Sequence, residues 1–215
     1  MQPYYLFYLL LIGTSFLLGL IPLQQKKKIS PAVWLLGCTL LNEICSWLAG
    51  KYYRNNMPVY HVSIPVLTGI WALFYYRNIT SIRVKNLVVW SYVIFLLLAI
   101  INSLFIQSIL QFPGTVFTCL NLLMIAWSAV LMIQMLDAPG SQNLFKEPIF
   151  LINIAILWFN LFSFAYFALR NYMIAQHIST TALSQILLIA NYVFYSIILL
   201  AMIFNFIQNK HESRI

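Results

Sequence analysis

Apolar residues along this chain fall into seven long runs separated by short polar gaps. The runs are approximately Tyr4–Leu23, Pro31–Gly50, Pro58–Tyr76, Leu87–Gln107, Thr115–Leu136, Pro148–Leu169 and Leu183–Ile207. A helix needs about 20 apolar residues to cross the hydrocarbon core of a bilayer, and each run is close to that length. Pro31, Pro58 and Pro148 stand at expected helix starts, where a missing N–H costs nothing. Gly50 is expected to end the second helix. Asp137-Ala138-Pro139-Gly140 reads as a turn between the fifth and sixth. The expected fold is all-α, one polytopic seven-helix transmembrane domain over residues 1–215.

Composition sharpens that picture. The chain is 62% hydrophobic and 7% charged, with a mean hydropathy of +0.87. Soluble domains carry about 25% charged residues, so this chain could not cover itself with polar groups in water. The lipid bilayer is therefore the first expected partner. The net charge is +8. The basic residues sit in the polar gaps, which points to anionic lipid at one membrane face rather than to nucleic acid.

Their distribution orients the chain. Lys26, Lys27, Lys28, Arg77, Arg83, Lys85, Lys146, Lys210 and Arg214 fall on one side, and Lys51, Arg54 and Arg170 on the other. Nine against three places the N-terminus outside and the C-terminus in the cytoplasm. The expected location is a cell membrane of bacterial inner-membrane type. The first run is long enough to span and lacks a basic leader, so an uncleaved first helix is expected. Asn78-Ile79-Thr80 matches a glycosylation sequon but falls on the cytoplasmic side. Cys38, Cys45 and Cys119 all lie within apolar runs, which argues against a disulfide framework and a thiolate metal site.

Glu43 is the one carboxylate inside any of the runs. A charged group at bilayer depth costs a few kcal/mol or more, so it faces inward and finds partners. Thr39, Asn42, Glu43, Ser46 and Gly50 recur at helical spacing and share one face of the second helix. His61, Pro65, Thr68 and Tyr75 do the same on the third. Glu43 lies roughly 10 Å below the outer end of its helix and His61 roughly 5 Å below. The two helices are joined by a short loop, so Glu43 and His61 are expected to meet directly or through a water. Asn102, Asn121, Asn153, Asn160 and Asn191 are spread over the later helices. Interhelical hydrogen bonding accounts for most of them. Asn42 and Asn191 are expected to join Glu43 and His61 in lining a ligand site.

Catalytic and metal sites are weaker readings. Glu43, His61 and His177 would suffice by number for zinc, but their spacing matches no ligand motif. No cofactor is implied. The seventh run holds no lysine for a retinal Schiff base and no histidine pair of the ceramidase-like hydrolases. With Asn42-Glu43, and Asn55-Asn56 leading to Tyr60-His61, the chain resembles small, uncharacterised seven-span membrane proteins of bacteria. The resemblance covers about a quarter of the chain and implies no activity.

The sequence thus points to a sensory or ligand-binding membrane protein with an outward-facing polar pocket around Glu43. Its ligand would be small or lipidic, and its signal would pass to a separate protein, since no effector domain is expected in loops this short. A small proton-coupled transporter is the main alternative, and an intramembrane lipid-modifying enzyme the next.

Overall fold

The computed structural model of the chain describes residues 3–21, 28–137, 143–177 and 179–212. It is all-helical, with no strand among the described residues. The helices are α1 (Pro3–Leu20), α2 (Ser30–Tyr53), α3 (Met57–Asn78), α4 (Ile82–Ile101), α5 (Gly114–Leu136), α6 (Pro148–Ala175) and α7 (Thr181–Glu212). A π-helical turn, Asn102–Ile106, extends α4, and a 3-10 turn, Leu144–Lys146, precedes α6. Lys26, Lys27, Arg214 and residues 138–140 of the expected turn lie outside the described residues.

Six of the helices, α2 to α7, are long and apolar enough to cross a membrane, which makes this a multi-pass membrane protein. The apolar part of α1, Tyr5–Leu20, is shorter. Side chains such as Leu10, Trp34, Leu87, Trp90, Leu104 and Phe105 are exposed on the outer surface of the bundle. In water such a surface would be an aggregation hazard, whereas in lipid it meets its own kind.

Several helices outrun their apolar stretches. Helix α2 continues past Gly50 to Tyr53, and Arg54, not Gly50, takes the left-handed conformation that ends it (φ 56°). Within the extension the Lys51 ammonium lies 5.1 Å from the centre of the Trp47 ring one turn earlier. Helix α4 starts at Ile82, so Arg83 and Lys85 are helical, and α7 runs on through Lys210. Hydropathy marks the part of a helix that sits in hydrocarbon. The backbone ladder carries on into the interface until a cap or a turn stops it.

Six helices close a ring in the order α1, α2, α3, α5, α6, α7, with α7 returning to α1. Helix α4 packs on the outside against α3 and α5. One half of the ring is filled by a core that includes Val33, Phe74, Tyr75, Leu131, Ile152 and Met202, all nearly inaccessible. Small residues let the ring close. A Cβ placed on Gly19 would come within 2.8 Å of Val33 Cγ2 and 3.2 Å of Met202 Sδ, from two neighbouring helices. Val33 is β-branched and holds one rotamer, so it has little room to yield. Gly19→Ala is therefore expected to cost about 1–3 kcal/mol, the usual range for overpacking. Thermal unfolding in detergent would show it. By contrast Gly13→Ala, whose Cβ meets nothing within 4 Å, should leave the melting temperature unchanged or raise it.

Polar ties close both ends. On one side Asn78 Nδ2 donates to the Lys28 and Phe74 carbonyls, and Thr80 N donates to Gln134 Oε1. On the other, Asn55 Nδ2 donates to the Leu110 carbonyl, joining the α2–α3 and α4–α5 loops.

Candidate functional site: a carboxyl group between two chambers

Helix α1 places Tyr5 and Tyr8 three residues apart, hence on one face. Both hydroxyls reach across to α2. Tyr5 donates to Glu43 Oε2 and Tyr8 to Glu43 Oε1, each at 2.9 Å. Each carboxyl oxygen thus accepts one tyrosine proton. Among the described residues no Lys, Arg or His forms an ion pair with Glu43.

Above the packed core the ring surrounds a partly open cavity of about 210 Å³. Thr39, Asn42 and Glu43 of α2 form one wall, and Tyr60, Ser63, Ile64, Thr68 and Trp71 of α3 another. Helix α5 adds Phe117, Leu120 and Met124, α6 adds Phe159 and Asn160, and α7 adds Asn191, Phe194 and Tyr195. Tyr8 completes the wall from α1, and α4 contributes nothing. Two of these walls carry polar atoms with no protein partner, Asn42 Oδ1 and Ser63 Oγ. Buried polar atoms are rarely left without a partner.

A second chamber, about 370 Å³, lies toward the ends of α1, α2 and α3 that meet the α2–α3 loop. Tyr5, Ser46, Trp47, Gly50, Lys51 and Asn56 surround it, and Glu43 and Tyr60 line both chambers. Glu43 and Tyr60 thus stand on the partition. Lys51, the cation of the outer chamber, rests over the Trp47 and Tyr52 rings, 5.1 and 5.7 Å from their centres.

No family model matches this chain, and no curated protein and no solved structure does either. The site must be read from its own residues.

Of the four residues singled out in the sequence, Glu43, Asn42 and Asn191 line the inner cavity together. His61 lines neither chamber and does not reach Glu43. Its Nδ1 lies 2.7 Å from Ser103 Oγ and its Nε2 2.9 Å from the Gln111 carbonyl oxygen. The expected Glu43–His61 pair fails because α2 and α3 are not the only neighbours at that depth. Helix α1 covers the Glu43 face, and the π-helical turn after α4 captures the imidazole. With a carbonyl oxygen as its partner, Nε2 carries a proton and donates it, and the Ser103 hydroxyl can accept from Nδ1 or donate to it. His61→Ala is expected to loosen the α4–α5 loop, losing two hydrogen bonds at about 1 kcal/mol each. Hydrogen exchange at 103–111 would rise, and cavity occupancy would not change.

Arg170 and His177 are not near this site's chemistry either. Arg170 lies within α6, and His177 is exposed with a left-handed backbone (φ 55°). No three His, Cys, Asp or Glu side chains gather among the described residues. The tyrosines were the residues that sequence reasoning missed. Tyr5 and Tyr8 look like the aromatic belt at a membrane edge, and only their i, i+3 spacing hints at a shared inward face. The Asn191–Tyr195 pair at i, i+4 was legible, and both residues reach the cavity wall.

Proposed function

We propose that this protein binds a small ligand in the central cavity, with Glu43 as its principal polar contact. The carrying observation is a carboxyl group on a cavity wall, held by two tyrosine hydroxyls and, among the described residues, in no ion pair with a Lys, Arg or His. Holding an ionisable group at this depth is costly, and a purely structural seam between helices has no need of one. Asn42 and Asn191 line the same cavity. In this reading α1 is a seventh span, which its place between α2 and α7 in the ring supports. The N-terminus and the outer chamber then face outside, in keeping with the excess of Lys and Arg at the opposite end. Binding would be signalled through a separate protein in the membrane or cytoplasm.

One observation favours a second reading, a proton-coupled transporter. Glu43 and Tyr60 are shared by two chambers that follow one another along the bundle. A carboxyl group at such a partition is placed to exchange a proton with one side and a solute with the other.

Native mass spectrometry of gently extracted protein, wild type beside Glu43→Gln, tests the binding reading. A stoichiometric small molecule on the wild type that is lost from the variant supports it. Identical spectra with no bound molecule count against it. Proton-linked uptake into proteoliposomes, absent in Glu43→Gln, would move the assignment to the transporter.

A further inference from the structure

We infer that the ligand of the central cavity is a small aromatic amine in its ammonium form, an inference that rests on the binding reading above. The charge of the lining decides the sign of the ligand. Glu43 is the one carboxyl group among the lining residues, and no Lys, Arg or His lines the cavity with it. A carboxylate ligand would meet a like charge, and a neutral one would leave Glu43 without a counterion. A cation completes the site.

Hydrogen-bonding capacity decides that the cation carries N–H groups. Two residues of the lining hold a buried polar atom without a protein partner, Asn42 with Oδ1, an acceptor, and Ser63 with Oγ, which accepts as well as donates. Each Glu43 oxygen accepts one tyrosine proton and has further capacity. An ammonium group brings up to three donors to these acceptors. A quaternary ammonium brings none and would leave Asn42 Oδ1 as it is.

The rest of the lining decides the body of the ligand. Rings come from five helices: Tyr8, Tyr60, Trp71, Phe117, Phe159 and Phe194. Aromatic faces attract a cation within about 6 Å and stack on another ring. Volume sets the limit. An apolar cavity of about 150 Å³ takes up benzene. At about 210 Å³ this one has room for a ring and roughly two waters' worth more, the size of a two-carbon amine tail. Phenethylamine has that shape.

Equilibrium dialysis with labelled phenethylamine on the purified full chain in nanodiscs tests the inference. Its isosteres 2-phenylethanol and phenylacetate serve as the neutral and anionic probes. Saturable phenethylamine binding is expected, at least about tenfold tighter than either isostere, since a hydrogen bond to a charged group is worth that much. Glu43→Gln should weaken phenethylamine at least about tenfold and leave 2-phenylethanol unchanged. Asn42→Leu, which keeps the carboxyl group, should weaken phenethylamine and not 2-phenylethanol. It serves as the second variant if Glu43→Gln does not fold. Equal or tighter binding of an isostere, or amine binding indifferent to both variants, would overturn the amine inference while leaving the cavity a binding site. No saturable binding of any of the three probes, together with empty native spectra, would overturn both.

Discussion

Glu43→Leu is expected to abolish ligand binding while changing stability by about 1 kcal/mol or less. Two opposing terms set the stability. Leucine removes the acceptor of the Tyr5 and Tyr8 hydroxyls, and an unsatisfied buried donor costs about 1–3 kcal/mol. It also removes an ionisable group whose burial is itself expensive, and replacing such a group by an apolar one is often neutral. The chambers decide the balance. Tyr5 faces the outer chamber and Tyr8 the inner, so water can take the place of the carboxyl oxygen at each hydroxyl. Neither term is then paid in full. Binding has no such compensation. Removing one partner of a desolvated, hydrogen-bonded charge pair costs about 2–5 kcal/mol, so a middle value of about 3 kcal/mol weakens the ligand more than a hundredfold. Glu43→Gln separates charge from shape, because an amide still accepts one tyrosine proton and offers its NH₂ to the other oxygen. The pair of variants should share the loss of binding and differ little in melting temperature. A fall of many degrees for Glu43→Leu with ligand content intact would instead make the carboxyl group a structural pin of α1 on α2.

Tyr75→Ala is expected to be among the most destabilising single changes in the bundle, by about 3–5 kcal/mol. Tyr75 is fully buried at the floor beneath the cavity. Its ring packs edge-on to Phe74 and tilted against Trp127, with centres 5.3 and 5.6 Å away. Its hydroxyl bonds Ser128 Oγ of α5 and donates to Asn153 Oδ1 of α6 at 3.2 Å. Asn153 Nδ2 returns to the Ser128 carbonyl at 2.9 Å, which ties α3, α5 and α6 in one knot. Tyr75→Phe isolates the hydroxyl. Hydrogen bonds between membrane helices average about 0.6 kcal/mol and reach about 1.7, because helices apart in the bilayer find other partners. Packing should therefore outweigh hydrogen bonding here, with Tyr75→Phe costing about a third of Tyr75→Ala or less. Denaturation of both variants in mixed micelles gives the ratio. Near-equal losses would show that the polar knot, not the ring, holds the floor.

The membrane class, the helical fold and the suspicion of Glu43 were all legible in the sequence, because each depends on composition or local period. Apolar runs of bilayer length allow only helices or closed barrels, since every backbone polar group must be satisfied without water. Helical spacing then placed Thr39, Asn42, Glu43 and Ser46 on one face, and cost alone marked Glu43. Spacing says which face a residue occupies, not which helix meets that face. Tertiary structure decided that α1 closes the ring against α2, so Glu43 meets Tyr5 and Tyr8, while the turn after α4 holds His61. It also sorted the asparagines. Asn153 ties three helices, Asn160 bonds the Ile156 carbonyl of its own helix and lines the cavity, and Asn121 is buried with neither amide atom paired within the protein. Residues of one type, each at bilayer depth, acquire these different roles from the order of helices around the ring. That order is set by how glycines such as Gly19 and rings such as Tyr75 fit across helices, and a linear pattern of apolar residues does not encode it.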